Sequence, residues 1–179
     1  FVDFSATLPD DSAYGALADD LVPASMDFSV LARADKQLET CAVGKTGQDM
    51  ESIISAGQYS HPEGLFYGGA GPTWSRTLLE TLVRDYDLAG RAGLCVIDAR
   101  SGLGPFGYGG LVSSHQPESR SSQIARLWFG ASVDKPASSS RHGLSDYFWH
   151  SVVGDCGCML TLEFGTWPWQ EIFLALRAD

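Results

Sequence analysis

Apolar residues recur along this chain first at helical and then at strand spacing. Ala13, Leu17 and Leu21 form an i, i+4, i+8 ladder, which predicts a short helix capped by Asp10 or Asp11 and stopped by Pro23. A second helix is expected from about Asp27 to Leu38. A third is expected from about Thr46 to Ala56, with Gly57 supplying its end. Leu78, Leu79, Leu82 and Val83 mark an amphipathic helix that Thr73 or Ser75 would cap. The pattern then changes. Leu94 to Asp98 is a continuous apolar run, as expected of a strand covered by helices on both faces, and Cys95 within it reads as a small core hydrophobe. Gly110 to Ser114, Ile124 to Phe129 and Cys158 to Phe164 read as further strands. Gly165-Thr166 reads as a turn, and Pro168 to Arg177 as a helix with proline near its first turn. Helices and strands in succession, with no internal repeat and no visible linker, predict a single α/β domain over residues 1–179.

Two glycine-rich stretches interrupt this pattern. GQYSHPEGLFYGGAGPT, ending at Thr73, is read as a loop, and its Tyr, His and Phe content is that of a loop lining a site. SGLGPFGYGG, from Ser101 to Gly110, is read as a second loop directly after a strand. Open α/β sheets bind ligands beyond the carboxyl ends of their strands, so residues Arg100 to Tyr108 are the first place to look for chemistry. The Ser-rich stretch from Pro136 to Ser145 is expected to be exposed.

Charge narrows the function classes. Of 179 residues, 22 are Asp or Glu and 12 are Lys or Arg, a formal net charge of −10. A nucleic-acid binder needs a basic face to neutralise phosphate, and attachment to anionic lipid needs the same, so both are excluded. No apolar run approaches the roughly 20 residues of a membrane-spanning helix. The sequence opens on Phe1 with neither an initiator Met nor a signal segment, and it reads as a fragment, a processed product or an incomplete frame. It contains no asparagine, which excludes N-glycosylation. Cys41, Cys95, Cys156 and Cys158 are too few and too unevenly spaced for a disulfide framework, so a reducing cytoplasm is the expected location.

Glu163 is the most informative acid. It ends an apolar strand just before Gly165, at the sheet's carboxyl edge, where a carboxylate can act as general base. It can equally serve as an acceptor of backbone hydrogen bonds at a helix N-terminus. Gly44-Lys45-Thr46 is half of a phosphate-binding loop; Glu39 stands where the pattern needs glycine and no apolar strand precedes it, so the match is read as coincidence. His115 and Glu118 have His-x-x-Glu spacing in a polar loop interrupted by Pro117. His150 with Cys156 and Cys158 is a second grouping of metal-ligand types, although a Cys-x-Cys pair need not converge on one ion. Neither is read as a metal site. No complete catalytic set is present.

Three blocks in order carry a resemblance: GQYSHPEGLFYGGAGPTWSRTLL, VIDARSGLGPFGYGGL and LTLEFGTWPW followed by LRAD. Together they resemble an uncharacterised bacterial branch of the zinc carboxypeptidase superfamily, near the succinylglutamate desuccinylase and aspartoacylase-like enzymes. The likeness covers nearly the whole chain and corresponds to the carboxyl-terminal half or so of a family member. It implies a three-layer α/β sandwich around a mixed, largely parallel sheet. It also implies an amide hydrolase acting on a peptide or an N-acyl amino acid, with one zinc held by a His-x-x-Glu pair and a later histidine. Glu163 falls at the general-base position. Tyr59, Tyr67, Arg100 and the backbone of Gly102, Gly104 and Gly107 would line the substrate pocket.

The chain departs from that pattern where the metal would sit. The family strand leads into Asp-x-His-Thr-Gly; here it reads Asp98-Ala99-Arg100-Ser101-Gly102, with arginine in place of the third ligand. A guanidinium offers only donors and cannot ligate zinc. The His-x-x-Glu pair and an Asn-Arg-Asn substrate-binding segment would both lie before Phe1, and the Trp74-Ser75-Arg76 turn is shortened. The expectation is therefore a protein that holds no zinc by itself and is inactive alone, or a non-catalytic binding or assembly protein with Arg100 paired to Glu163 across the old site. If the chain is a bare half, self-association, or a partner chain supplying the other half, is expected.

Overall fold

A computed structural model describes residues 2–45, 47–130 and 143–178. In chain order the elements are α1 (Ser12–Gly15), α2 (Ala18–Leu21), α3 (Phe28–Ala42), α4 (Gly47–Ser55), α5 (Trp74–Asp85), β1 (Leu94–Phe106), β2 (Gly109–Val112), α6 (Arg120–Phe129), α7 (Ser145–Val153), β3 (Gly157–Gly165) and α8 (Trp169–Ala178). They fall into two compact units.

One unit, from residues 72–130 and 144–168, holds the sheet. Its strand order is β1-β3-β2, with the long β1–β3 ladder parallel and the short β2–β3 ladder antiparallel. The sheet is thus mixed and largely parallel, and the class is α/β. β3 is the central strand and is buried from Gly157 to Thr161. Alternation along it sends Cys158 and Leu160 to one face, where α6 covers them with Ala125. Met159, Thr161 and Glu163 go to the other face, on which α7 lies. Helices on both faces make this unit three-layered.

Several expectations are corrected here. Ile124 to Phe129 is helical: the Ser119 hydroxyl accepts from the Ser122 N–H, and the buried positions Ser121, Ser122 and Ala125 follow helical spacing. β1 does not stop at Asp98. It continues to Phe106, and Gly102 and Phe106 both pair with Gly165, so residues between them bulge from the ladder. β1 is also not doubly covered. It is an edge strand whose odd-numbered positions from Cys95 to Ser101 face solvent: Cys95 is exposed rather than a core residue, and Ile97 is 49% exposed. A continuous apolar run reports burial only when strands flank it on both sides. α5 forms as expected, with the Thr73 hydroxyl accepting from the Arg76 N–H. The end of the Ser-rich stretch, Leu144 and Ser145, leads into α7; its first part, Pro136 to His142, lies outside the described residues.

The other unit, residues 2–71, 143 and 169–178, is helical. Its core joins Tyr14, Leu17, Ala18, Leu21 and Ile54 to Trp169 and Phe173 of α8. The predicted ladder from Ala13 to Leu21 splits into α1 and α2, because Gly15 weakens the helix where the two meet. Asp10 accepts from the Ser12 N–H, whereas Asp11 leaves the helix uncapped and accepts from Tyr59 and Ser60. The Arg177 guanidinium closes α2 by donating to the carbonyls of Asp20 and Leu21, and it pairs with Asp35. The second predicted helix runs four residues further than expected, to Ala42. Of the phosphate-loop half-motif, Thr46 lies outside the described residues.

Candidate functional site

The parallel register sets Arg100 beside Glu163 at the carboxyl ends of β1 and β3. Asp98 lies two residues before Arg100 and therefore on the same face. Arg100 Nε and Nη2 both donate to Asp98 Oδ2, at 2.9 and 2.7 Å, and Nη2 also reaches Asp146 Oδ1 on α7 at 2.6 Å. Ser145, at the start of α7, bonds to both Asp98 and Arg100 at 3.2 Å. Burial opposes the guanidinium charge, but the bonds to Asp98 and Asp146 outweigh it and hold the Arg100 pKa above its ordinary value. One cation is thus clamped between a strand carboxylate and a helix carboxylate.

Asp146 extends the network. Its Oδ2 accepts from Ser114 Oγ at 2.8 Å, and Ser114 Oγ lies 3.1 Å from His150 Nε2. With its own proton given to Asp146, Ser114 accepts from His150, which fixes the Nε2–H tautomer. Asp146 and His150 stand four residues apart and share one side of α7. His150 stacks on His115 with ring centroids 4.1 Å apart, and His115 Nε2 accepts the Met159 N–H at 2.9 Å. Burial, and secondarily His150, lower the His115 pKa to about 4; burial lowers that of His150 as well, against the pull of Asp146. Both rings are neutral at pH 7. His115 is thus committed to the backbone of β3, while Glu118 is exposed. Cys158 faces α6, whereas His150 lies on α7, so the second metal-ligand grouping does not converge.

Glycine makes the room around Glu163. A Cβ on residue 102 would stand 2.6 Å from Glu163 Oε1, so the carboxylate lies where a side chain would otherwise be. The Gly102 carbonyl accepts from both the N–H and the hydroxyl of Thr166. Gly104 and Gly107 take φ of 109° and 73°, and the Gly107 N–H donates to Gly165 O at 2.8 Å. A Cβ on Gly165 would run into the carbonyl oxygens of Gly104 and Pro105. Arg100, Gly102, Gly104, Gly107 and Glu163 are therefore gathered at one end of the sheet.

Tyr59 and Tyr67 belong to the helical unit. There Gln58, wholly buried, ties the loop together: its side chain donates to His61 O and Leu65 O and accepts the His61 N–H. Gln58 also bridges to Tyr67, and the Tyr59 ring packs on Gly68 and meets Phe4 edge-on. Burial pushes the Tyr59 hydroxyl up.

Asp98, Ser114, His115, Ser145, Asp146 and His150 were missed as a group by the sequence reading. The strand spacing of Asp98 and Arg100 and the helix spacing of Asp146 and His150 were visible in the sequence. What joins these pairs is the crossing of α7 over β1, which no local pattern encodes.

A family model described as "Protein of unknown function (DUF2817)" matches residues 1–179. Neither the curated proteins nor the solved structures contain a match to the chain.

Proposed function

From a chain that belongs to the DUF2817 family, whose description leaves the activity open, we propose a zinc carboxypeptidase-like scaffold on which Arg100 has replaced the metal ligand. On this reading the chain binds a small peptide or an N-acyl amino acid without cleaving it. The observation that carries the reading is the double pairing of Arg100 with Asp98 and Asp146. A zinc ion does not fit these residues. Position 100 presents hydrogen-bond donors and a permanent positive charge, and two nearby carboxylates are already engaged by it.

The scaffold still suits a ligand. Glu163, Gly102 and the bulged segment up to Phe106 sit at the carboxyl end of a parallel strand pair, next to the usual place for ligands in such sheets. Binding calorimetry with a panel of N-acyl amino acids and short peptides, followed by product analysis, tests the reading. Saturable binding with the ligand recovered intact supports it, and turnover overturns it.

A second reading, amide hydrolysis with Glu163 as general base, rests on the carboxylate's close approach to Gly102 at the sheet edge. It predicts a cleaved product that Glu163→Gln abolishes.

A further inference from the structure

Cys95 and Cys158 are direct register partners on β1 and β3. Neighbouring strands lie about 4.8 Å apart, and partners in register point to the same side of the sheet. That spacing falls within the roughly 4.4–6.8 Å between Cα atoms that a disulfide spans. The two thiols differ sharply in access. Cys95 is exposed on the edge strand, while Cys158 is fully buried beneath α6. Burial, and then the adjacent Cys95, push the Cys158 thiol up to about 12.

We propose that Cys95 and Cys158 are a reversible dithiol–disulfide pair that staples the edge strand β1 to the central strand β3. The oxidant is a low-molecular-weight disulfide of the glutathione type. The Cys95 thiolate attacks it, its S–S bond breaks, one glutathione leaves as thiolate, and Cys95 carries the mixed disulfide. The Cys158 sulfur then attacks the Cys95 sulfur and gives its proton to solvent, and the second glutathione leaves as thiolate. Two protein thiols lose two electrons, and one glutathione disulfide becomes two glutathiones. Entry at Cys95 follows from exposure. The buried, proton-retaining Cys158 makes closure the slow step, so the mixed disulfide on Cys95 accumulates first. A disulfide with one sulfur at the surface is also open to reductant, which makes the staple reversible.

The test equilibrates the full chain with mixtures of oxidised and reduced glutathione and maps linked peptides by mass spectrometry without reduction. The expected result is transient glutathione on Cys95, followed by a Cys95–Cys158 link that reductant removes. Cys158→Ser should trap glutathione on Cys95, and Cys156→Ser should leave the link unchanged. If Cys158→Ser does not fold, Cys95→Ser takes its place and should leave Cys158 unmodified under the same conditions. Persistent glutathionylation of Cys95 without closure, a link through Cys156 instead, or modification of Cys158 in Cys95→Ser would each overturn the proposal.

Discussion

Arg100 Nη2 and Asp146 Oδ1 meet at 2.6 Å, with the carboxylate side chain 6% exposed and the guanidinium 30% exposed. The pair links a strand to the helix crossing it. Removing the cation would leave Asp146 buried with its charge uncompensated. Arg100→Met should therefore cost about 2–3 kcal/mol, below the value for a wholly buried pair because the arginine is partly open to water. Adding Asp146→Asn should recover part of that loss. Denaturant unfolding of the two single variants and the double variant measures the coupling. A cost under about 0.5 kcal/mol would mean that the clamp carries no stability.

The stacked histidines predict acid sensitivity. The folded pKa of His115 is about 4, against an ordinary 6.5, and that of His150 is lowered too. Between those two pH values the unfolded chain binds protons that the folded chain refuses, so stability falls as pH drops from about 6.5 toward 4. Below about 4 His115 is protonated in both states and adds no further loss. For His115 the change is on the order of 2–3 kcal/mol. His115→Gln keeps an acceptor for the Met159 N–H and should flatten the profile across this window. An unchanged slope in that variant would assign the acid sensitivity to other groups.

Gly165 tolerates no side chain, because a Cβ there would meet the backbone of Gly104 and Pro105, which cannot move aside as a flexible side chain can. Gly165→Ala should destabilise by at least about 2–3 kcal/mol or prevent folding. Gly102→Ala meets only the flexible end of Glu163 and should cost about 1 kcal/mol or less, moving the carboxylate instead. Comparing the two unfolding midpoints checks this; equal costs would contradict it.

The edge of β1 predicts assembly. Among the described residues no strand pairs with its outer backbone groups, and Ile97, Phe106 and Trp167 are 49%, 73% and 62% exposed. Unpaired edges and apolar surface of this kind promote association, which the net charge of −10 opposes without satisfying the backbone. Sedimentation at micromolar concentration should show a dimer or larger species; a compact monomer would contradict this.

The sequence disclosed much of this fold because several elements are locally determined. The capped helix after Thr73 and the apolar strand ending at Phe164 carry their own signals. Position within the sheet does not. LCVID and CMLTLEF read alike, yet one lies at the edge and the other at the centre, and only the strand order distinguishes them. The segment Ile124 to Phe129 was misread because its apolar residues suit either period, and the deciding signal was the capping hydroxyl of Ser119 five residues earlier. Glu163 and Gly102 were legible as residues at the carboxyl edge of the sheet. Asp146 was not, since its role depends on a helix 46 residues away from Arg100 in the chain.

If the guanidinium of Arg100 stands where a metal ligand would be, the chain should fail to take up zinc. Purified chain is equilibrated with zinc, freed of excess, and assayed for bound metal and for cleavage of N-acyl amino acids. Substoichiometric zinc and no turnover are expected. One zinc per chain, with turnover abolished by Glu163→Gln, would contradict this.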